Sequence, residues 1–289
     1  MGTLCRPTCQ SANTVPSVVA EQSYALPYDL AQPTARFKLR PALREISGLT
    51  VIDDTLIAAI QDERGAVYVL DVRTGESVRT IDFGGKGDYE GVEAVGDSLY
   101  VLRSDGDVYV LPNWRAGKLQ VTKEETSLSA RNDTEGLGYD PVTRRLLIAA
   151  KEKPGDGYKG HRAVYAFDVA TREVDDAPVY LVSTAIDTVG GPVSRFVRKL
   201  AKPISDLSGF KPAGLAVHPV TGHIFVVSSV LKVIVVLDRS GELVAMEPLL
   251  DPDIPQPEGI AFLRNGDLLI ASEGAGKRGT LTRYAFRPN

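Results

Sequence analysis

The sequence predicts an all-β protein, a five-bladed β-propeller, on the basis of three observations. A short glycine-containing phrase recurs five times at a nearly constant spacing. Each copy is followed by two short runs of β-branched and aromatic residues bounded by Gly, Asp or Asn, which is a pattern typical of strands. A period of about 45 residues with three or four strands per unit is typical of propeller blades.

The recurring phrase is expected to form the inner strand of each blade. Its five copies are Ile46–Leu49, Tyr89–Val92, Thr134–Leu137, Pro212–Leu215 and Pro257–Ile260. Their glycines are about 45 residues apart, except between the third and fourth copies, where the gap is one repeat plus about 33 residues. Because glycine has no Cβ, it allows neighbouring inner strands to approach closely.

Two further strands are expected in each unit, each after a turn. The second strands are Leu56–Ala59, Leu99–Leu102, Leu146–Ala149, Ile224–Val227 and Leu268–Ala271. The third strands are Val67–Leu70, Val108–Leu111, Val164–Phe167, Ile234–Leu237 and Leu281–Tyr284. Turn sequences such as Asp71–Gly75 and Arg264–Asp267 separate the strands.

The ring is expected to close by borrowing a strand from the beginning of the chain. The last unit ends at Phe286 and has room for only three strands, and Thr34–Leu39 is positioned to supply its outer strand. Closure removes the exposed edges of an open sheet. A β-sandwich is the main alternative, but it gives no reason for the regular period.

Two segments lie outside the repeat. Residues 1–22 are polar, so we expect a flexible leader before a single domain at 23–289, with a lipidated anchor at Cys5 as the alternative. The insertion falls at about 183–209 and contains one short amphipathic helix, whose apolar side runs from Val193 to Leu200. This helix is expected either to cap a blade edge or to form a lid over the central face.

Composition and charge exclude several classes of protein. Of 289 residues, 43% are hydrophobic and 24% are charged, which is the balance of a globular chain with a sizeable core. The formal net charge of −4 argues against a general nucleic-acid binder, which needs a basic face. No apolar run reaches transmembrane length. Two cysteines are too few for a disulfide-stapled scaffold. We also expect the protein to be a monomer.

Acidic residues recur where the inner strands are expected to begin, at one mouth of the central channel. The candidate metal ligands are Glu90, Glu135 and Glu258, each directly before a phrase glycine, and Glu45 just upstream of the first phrase. The loops on the same face supply the candidate ligand-binding residues Asp62, Arg103, Asp105, Lys151, Glu152, Ser228 and Glu273. Carboxylates that converge on one axis raise one another's pKa values unless a cation joins them.

Ca²⁺ is the cation expected at this mouth, because it accepts six to eight oxygen ligands from carboxylates, carbonyls and water. Two alternative roles stay open for the same acids. In the first, Arg103 and Lys151 neutralise them internally, since both are placed near the mouth. In the second, the repeated Glu-Gly pairs are purely architectural and bond neighbouring backbone amides.

The three histidines and the common catalytic motifs give little support for an enzyme. His218 and His223 flank a turn and are expected to be exposed, while His161 lies in a loop on the mouth side and is a candidate acid–base residue. The chain has no Gly-x-Ser-x-Gly elbow and no phosphate loop.

Several phrases resemble the SdiA-regulated β-propeller family. They are Leu43–Leu49, Gly87–Glu93, Tyr100–Gly106, Asn132–Leu137 and Gln256–Ile260, and the likeness runs from about Tyr28 to Phe286. The resemblance implies a five-bladed propeller distantly similar to NHL-repeat proteins, with a calcium site at the acidic phrases. It also implies a bacterial protein that is often exported, so we expect a periplasmic or envelope location. Ala213 departs from the pattern, which leaves any ring of ligands incomplete on the fourth blade.

Three functions agree with these observations. In the first, the protein binds Ca²⁺ and a small-molecule or protein ligand at its acidic mouth and is not an enzyme. In the second, it is a calcium-assisted hydrolase of a phosphate, lactone or other ester, in which the ion polarises the substrate oxygen. In the third, it is an NHL-like scaffold for protein interactions.

Overall fold

The fold is a five-bladed β-propeller, as the sequence predicts. The computed structural model describes residues 24–184 and 209–288. These residues form five antiparallel sheets, one for each repeat. They contain one 3₁₀ turn, Pro41–Leu43, and no helix among them is long and apolar enough to cross a membrane. The predicted leader and the helix of the insertion lie outside the described residues.

Each blade is an antiparallel meander that runs from the central axis outward, and in blade 3 the third strand pairs with both of the last two. Blade 1 contains β2 (Ile46–Val51), β3 (Leu56–Gln61), β4 (Arg64–Asp71) and β5 (Ser77–Lys86). Blade 2 contains β6 (Tyr89–Val95), β7 (Ser98–Arg103), β8 (Val108–Pro112) and β9 (Thr122–Glu124). Blade 3 contains β10 (Thr134–Asp140), β11 (Arg145–Ala150), β12 (His161–Asp168), β13 (Glu173–Val174) and β14 (Tyr180–Ser183).

The fourth and fifth blades follow the same plan, and the chain start completes the last one. Blade 4 contains β15 (Gly214–Val217), β16 (Ile224–Ser228), β17 (Val233–Leu237) and β18 (Leu243–Pro248). Blade 5 contains β19 (Gln256–Phe262), β20 (Leu268–Glu273), β21 (Thr280–Tyr284) and β1 (Ala35–Lys38). Strand β1 pairs antiparallel with β21, with Ala35 opposite Arg283. The outer strand of blade 5 therefore comes from the segment that the sequence predicts for it.

The phrase glycines hold the inner strands together at the axis. Strands β2, β6, β10, β15 and β19 contact one another in sequence around a closed ring. A Cβ added to Gly48 would lie 3.0 Å from the Cα of Gly91, and one added to Gly259 would lie 3.2 Å from the backbone nitrogen of Leu49. Each glycine is needed because the backbone of the next blade already occupies that space.

The segment before β1 crosses the face opposite the mouth and packs against blades 4 and 5. The Tyr28 hydroxyl donates to the Gly266 carbonyl at 2.6 Å and lies 2.8 Å from Nε2 of His218. The Nδ1 atom of His218 accepts hydrogen bonds from two backbone N–H groups of the following turn. Nε2 therefore carries the proton and donates to Tyr28, so the imidazole is neutral.

The expectation that His218 is exposed is wrong, because only 1% of its surface is accessible. The turn that it begins has the sequence of a surface turn, Pro219–Gly222. Tyr28, nearly two hundred residues away in the chain, covers the imidazole. Local turn chemistry carries no information about such a distant partner.

Acidification is expected to destabilise the protein through His218. Burial, followed by the charge of His223, lowers the pKa of His218 from 6.5 to about 4. Between these values the unfolded chain binds a proton that the folded chain does not, so stability falls as the pH drops through this window and levels off below it. The shift corresponds to about 3 kcal/mol.

Urea denaturation of the wild type and of His218→Asn between pH 7 and pH 4 measures this effect. The variant is expected to be less stable at pH 7 and to show a shallower loss on acidification. Equal slopes in the two proteins would show that another group causes the acid sensitivity.

Candidate functional site

Four of the five inner strands carry a β-bulge at the recurring phrase. The extra residues, which the strand pairing skips, are Ser47, Glu90, Glu135 and Glu258. A bulge takes its extra residue out of the regular alternation and re-aims its side chain. In blade 4 the pairing is regular from Gly214 onward, and the residue before that glycine is Ala213. Each glutamate of the recurring phrase is therefore a bulge residue, and in blade 1 Ser47 takes that place.

The bulged residues line a narrow channel at the axis. Its wall contains Ser47, Glu90, Glu135, Glu258 and four of the phrase glycines, Gly48, Gly91, Gly214 and Gly259. The cavity volume is about 10 Å³, which is enough for about one water molecule or one ion. The Ser47 hydroxyl is turned to the Tyr89 carbonyl, to which it donates a hydrogen bond at 2.6 Å. The three bulged glutamates thus contribute to the wall of a space of single-atom size.

Lys151 is the cation closest to these acids in the described part of the chain. Its ammonium group donates to the Glu135 carboxylate and lies 3.9 Å from Asp133. Burial lowers the pKa of Lys151, but the charge and hydrogen bond of Glu135 together with the charges of Asp133 and Glu90 outweigh burial, and the pKa is raised overall. Burial raises the pKa of Glu135 to about 7 despite the nearby ammonium. The internal neutralisation anticipated for Lys151 is present, but it serves chiefly one carboxylate.

The pKa values of the other two channel carboxyls are raised further above the ordinary value. Burial raises the pKa of Glu90 to about 10, and the charge of Glu135 is the second cause. The pKa of Glu258 rises to about 8 for the same two reasons. A positive charge in the channel would lower both pKa values. The surrounding residues therefore do not compensate the charge that Glu90 and Glu258 would carry when ionised, and both carboxyls favour the protonated form at neutral pH.

A second acidic group lies on the rim between blades 1 and 5. Burial raises the pKa of Asp62, and the charge of Glu45 raises it further. Burial likewise raises the pKa of Glu273, followed by the charges of Asp62 and Glu45. One carboxylate oxygen of Asp62, Oδ1, is buried and has no hydrogen-bond partner within residues 24–184 and 209–288. We call these residues and the channel carboxylates together the acidic mouth.

Arg103 and Asp105, two of the predicted ligand-binding residues, are engaged with each other at the loop of blade 2. The Arg103 guanidinium donates to the carboxylates of Asp105 and Asp107. The prediction that Arg103 neutralises the channel acids is therefore wrong, because its own loop supplies its partners. In this arrangement Arg103 stabilises the conformation of that loop.

Glu152 and Ser228 are likewise held at the junction of blades 3 and 4. Glu152 forms an ion pair with Lys211. The Ser228 hydroxyl is buried and accepts hydrogen bonds from the backbone N–H groups of Lys211 and Leu231. Both residues lie on the mouth face but outside the channel wall.

Asp88 belongs to the mouth although it is not one of the predicted ligands. Its charge contributes to the raised pKa of both Glu90 and Glu135. Its signal in the sequence is its place two residues before the bulged Glu90.

The acidic mouth fits Ca²⁺ in chemistry but is not arranged as a metal site. Carboxylate oxygens from three blades and a cavity of single-ion size suit this cation. However, no group of three or more His, Cys, Asp or Glu side chains in the described residues is close enough together to hold a metal ion. The Lys151 ammonium instead pairs with the central carboxylate.

Comparison with protein families gives one clear match. The model of a family described as SdiA-regulated matches residues 35–275, which is most of the chain and includes all the bulged phrases.

Solved structures of other proteins share the fold at low sequence identity. Glutaminyl cyclase from Myxococcus xanthus is 14% identical, with a TM-score of 0.55, and the match covers 88% of this chain and 95% of that one. A luciferin-regenerating enzyme is 10% identical, with a TM-score of 0.51, and the match covers 88% and 95%. A protein of unknown function from Bacteroides thetaiotaomicron VPI-5482 is 16% identical, with a TM-score of 0.49. That match covers 83% of this chain but only 54% of the other.

Proposed function

We propose that this chain, which belongs to the SdiA-regulated family, binds a small cation at its acidic mouth. Ca²⁺ is the first candidate. The observation that carries the proposal is the channel itself. Three blades each contribute a bulged glutamate to a space of single-atom size, and burial raises the pKa of all three. A buried cation relieves this repulsion.

Lys151 limits the affinity of the mouth for a cation in this proposal. The ammonium group and Ca²⁺ compete for the same carboxylate, Glu135. Glu90 and Glu258 must also lose their protons before they can act as metal ligands. Both requirements favour weak binding that strengthens as the pH rises. Weak sites suit compartments where Ca²⁺ is abundant, such as the periplasm, which is the location we propose.

Bound Ca²⁺ would stabilise the ring or bridge an anionic group of a second ligand. The rim acids Asp62 and Glu273 extend the negative surface beyond the channel, which favours ligands that carry amines or a metal ion. A protein partner and a small molecule are both compatible with this surface.

Calorimetric titration of the metal-stripped protein with Ca²⁺ tests the proposal. We expect binding of one ion, accompanied by proton release and a rise in melting temperature. Glu135→Gln removes a central ligand and should weaken binding at least tenfold, whereas Lys151→Met removes the competing cation and should strengthen it by about tenfold.

An exposed glutamate on the opposite face, Glu76, supplies the control variant Glu76→Gln, which should bind as the wild type does. If Ca²⁺ produces neither heat nor a thermal shift at pH 8, and Lys151→Met does not bind it either, the calcium proposal fails.

The hydrolase and scaffold alternatives use the same mouth and require separate tests. A hydrolase would turn over substrates in panels of esters, lactones and phosphoesters, and Glu135→Gln would abolish that turnover. A scaffold of the NHL type would capture a protein partner through the mouth face, and Glu258→Lys would prevent the capture. No contact in the described residues favours either alternative over cation binding.

A further inference from the structure

Two loops beside blades 2 and 3 are longer than the propeller repeat requires. The loops between the second and third strands of the five blades are 62–63, 104–107, 151–160, 229–232 and 274–279. The loop of blade 3 is the longest of these, and it faces the connection 125–133 between β9 and β10. Departures from a repeat on one face commonly form binding surfaces.

The two loops enclose a cavity of about 600 Å³, which we call the blade 2–3 pocket. This volume is within the range of small-molecule sites. The pocket is distinct from the channel, since the two share no lining residue. Its wall mixes polar side chains with an apolar floor formed by Leu128, Pro154 and Tyr165.

Asn132 fixes the two walls of the pocket relative to each other. Its side chain is buried. Its Oδ1 accepts a hydrogen bond from the backbone N–H of Ser129 at 2.9 Å, and its Nδ2 donates to the Lys153 carbonyl at 3.0 Å. The Lys153 N–H donates in turn to the Arg131 carbonyl at 3.2 Å. The backbones that carry Arg131 and Lys153 are thus held side by side.

Tyr165 fixes the glycine-rich loop that completes the pocket. Its hydroxyl donates to the Pro154 carbonyl at 2.7 Å. Gly155 follows with a φ of 98°, and a Cβ there would lie 2.6 Å from the Tyr165 hydroxyl. The backbone N–H groups of Gly155 and Gly157 donate to no other backbone or side-chain group among the described residues. They are therefore available to a ligand.

The pocket carries three cationic side chains, Arg131, Lys153 and Lys159. No carboxylate in residues 24–184 and 209–288 lies within 4.0 Å of their charged nitrogens. Asp156 and Asp176 also line the pocket but make no such pair with them. A cluster of unpaired cations with free backbone amides beside an apolar floor is suited to an anion attached to an apolar body.

We propose that the blade 2–3 pocket binds a small organic anion, with a carboxylate or phosphate group at Arg131 and Lys153 and an apolar ring on Leu128 and Tyr165. The free amides of the glycine-rich loop would contribute further hydrogen bonds to the anion. This site is independent of cation binding at the acidic mouth. The protein would then carry an anion site and a cation site side by side on one face.

Calorimetric titration with phenyl phosphate and with benzoate tests this site, and benzyl alcohol serves as the uncharged probe. We expect one phenyl phosphate or benzoate per chain, weaker binding at high salt, and no binding of benzyl alcohol. Arg131→Gln and Lys153→Gln should each weaken binding about tenfold, because each removes a charge-assisted hydrogen bond. The two probes distinguish a phosphate site from a carboxylate site.

Lys118 supplies a matched control, since it is exposed and lies in the β8–β9 connection on the opposite face. Lys118→Gln should bind as the wild type does, and so should the mouth variant Glu90→Gln. The proposal is overturned if neither anion binds at millimolar concentration, or if Lys118→Gln weakens binding as much as Arg131→Gln. Loss of calcium binding alone would leave this site untouched.

Discussion

Replacing Glu90 with Gln is expected to stabilise the metal-free protein at pH 8 and to weaken its binding of Ca²⁺ at least tenfold. In the folded state burial raises the pKa of Glu90 to about 10, and the charge of Glu135 contributes second. A carboxyl whose pKa is raised on folding costs stability as the pH rises above its unfolded value of 4.5. Gln has a similar shape but no charge, so we expect a gain of about 1–3 kcal/mol.

Thermal denaturation across pH 5 to pH 9 measures the stability change. The gain should be small at pH 5, where Glu90 is protonated in the folded protein, and largest near pH 9. A gain of this size corresponds to a rise of a few degrees in melting temperature for a chain of this length. Glu76→Gln, on an exposed turn of the opposite face, should leave the melting temperature unchanged.

The result also separates a binding role from an architectural one. If the channel glutamates serve only to bond neighbouring backbone amides, Glu90→Gln should lower the melting temperature at every pH. A stability gain combined with lost cation binding is the trade-off expected of a binding residue.

Replacing Gly214 with Ala is expected to have the largest effect on folding. A Cβ at this position would overlap the backbone carbonyl oxygen of Glu258 and lie 3.3 Å from a methyl group of Val227. The carbonyl belongs to the inner strand of the next blade, so it moves only if the ring opens. Overpacking against a rigid backbone is at the upper end of such effects, and we expect a loss of about 3–5 kcal/mol.

Urea denaturation measures this loss, and soluble yield reports it if the variant does not fold. Gly85→Ala is the matched control, because Gly85 also lies in a strand but has no atom within 4 Å of the added Cβ. The control should stay within about 0.5 kcal/mol of the wild type. Equal stability of Gly214→Ala and Gly85→Ala would contradict the close packing of the inner strands.

The positions of the channel acids could be read from the sequence because they belong to the repeat. Glu90, Glu135 and Glu258 each precede the phrase glycine, and the structure places all three on the channel wall. The spacing does not reveal that each of them is a bulge residue, since the strand register depends on the facing strand. Both Arg103 and Lys151 were expected to neutralise the acids, and only the side-chain geometry shows that Lys151 does so while Arg103 pairs with Asp105.

The blade 2–3 pocket and the burial of His218 were outside the reach of repeat analysis. The glycine-rich segment Gly155–Gly160 was visible in the sequence, but its partner wall at 127–132 was not. Asn132 joins the two walls through hydrogen bonds to the backbone. The unusual length of the blade 3 loop was the only feature of the sequence that indicated this site.

The amino-acid sequence by itself determined the five-bladed architecture, the strand supplied by the chain start and the place of the acids on one mouth. These features are periodic or local, because each blade repeats the same alternation of turns and apolar strands. Only the tertiary structure decided which cation meets Glu135, how the bulges aim the glutamates and where two loops enclose a pocket. These features depend on contacts between residues that lie far apart in the chain, and no local pattern specifies such contacts.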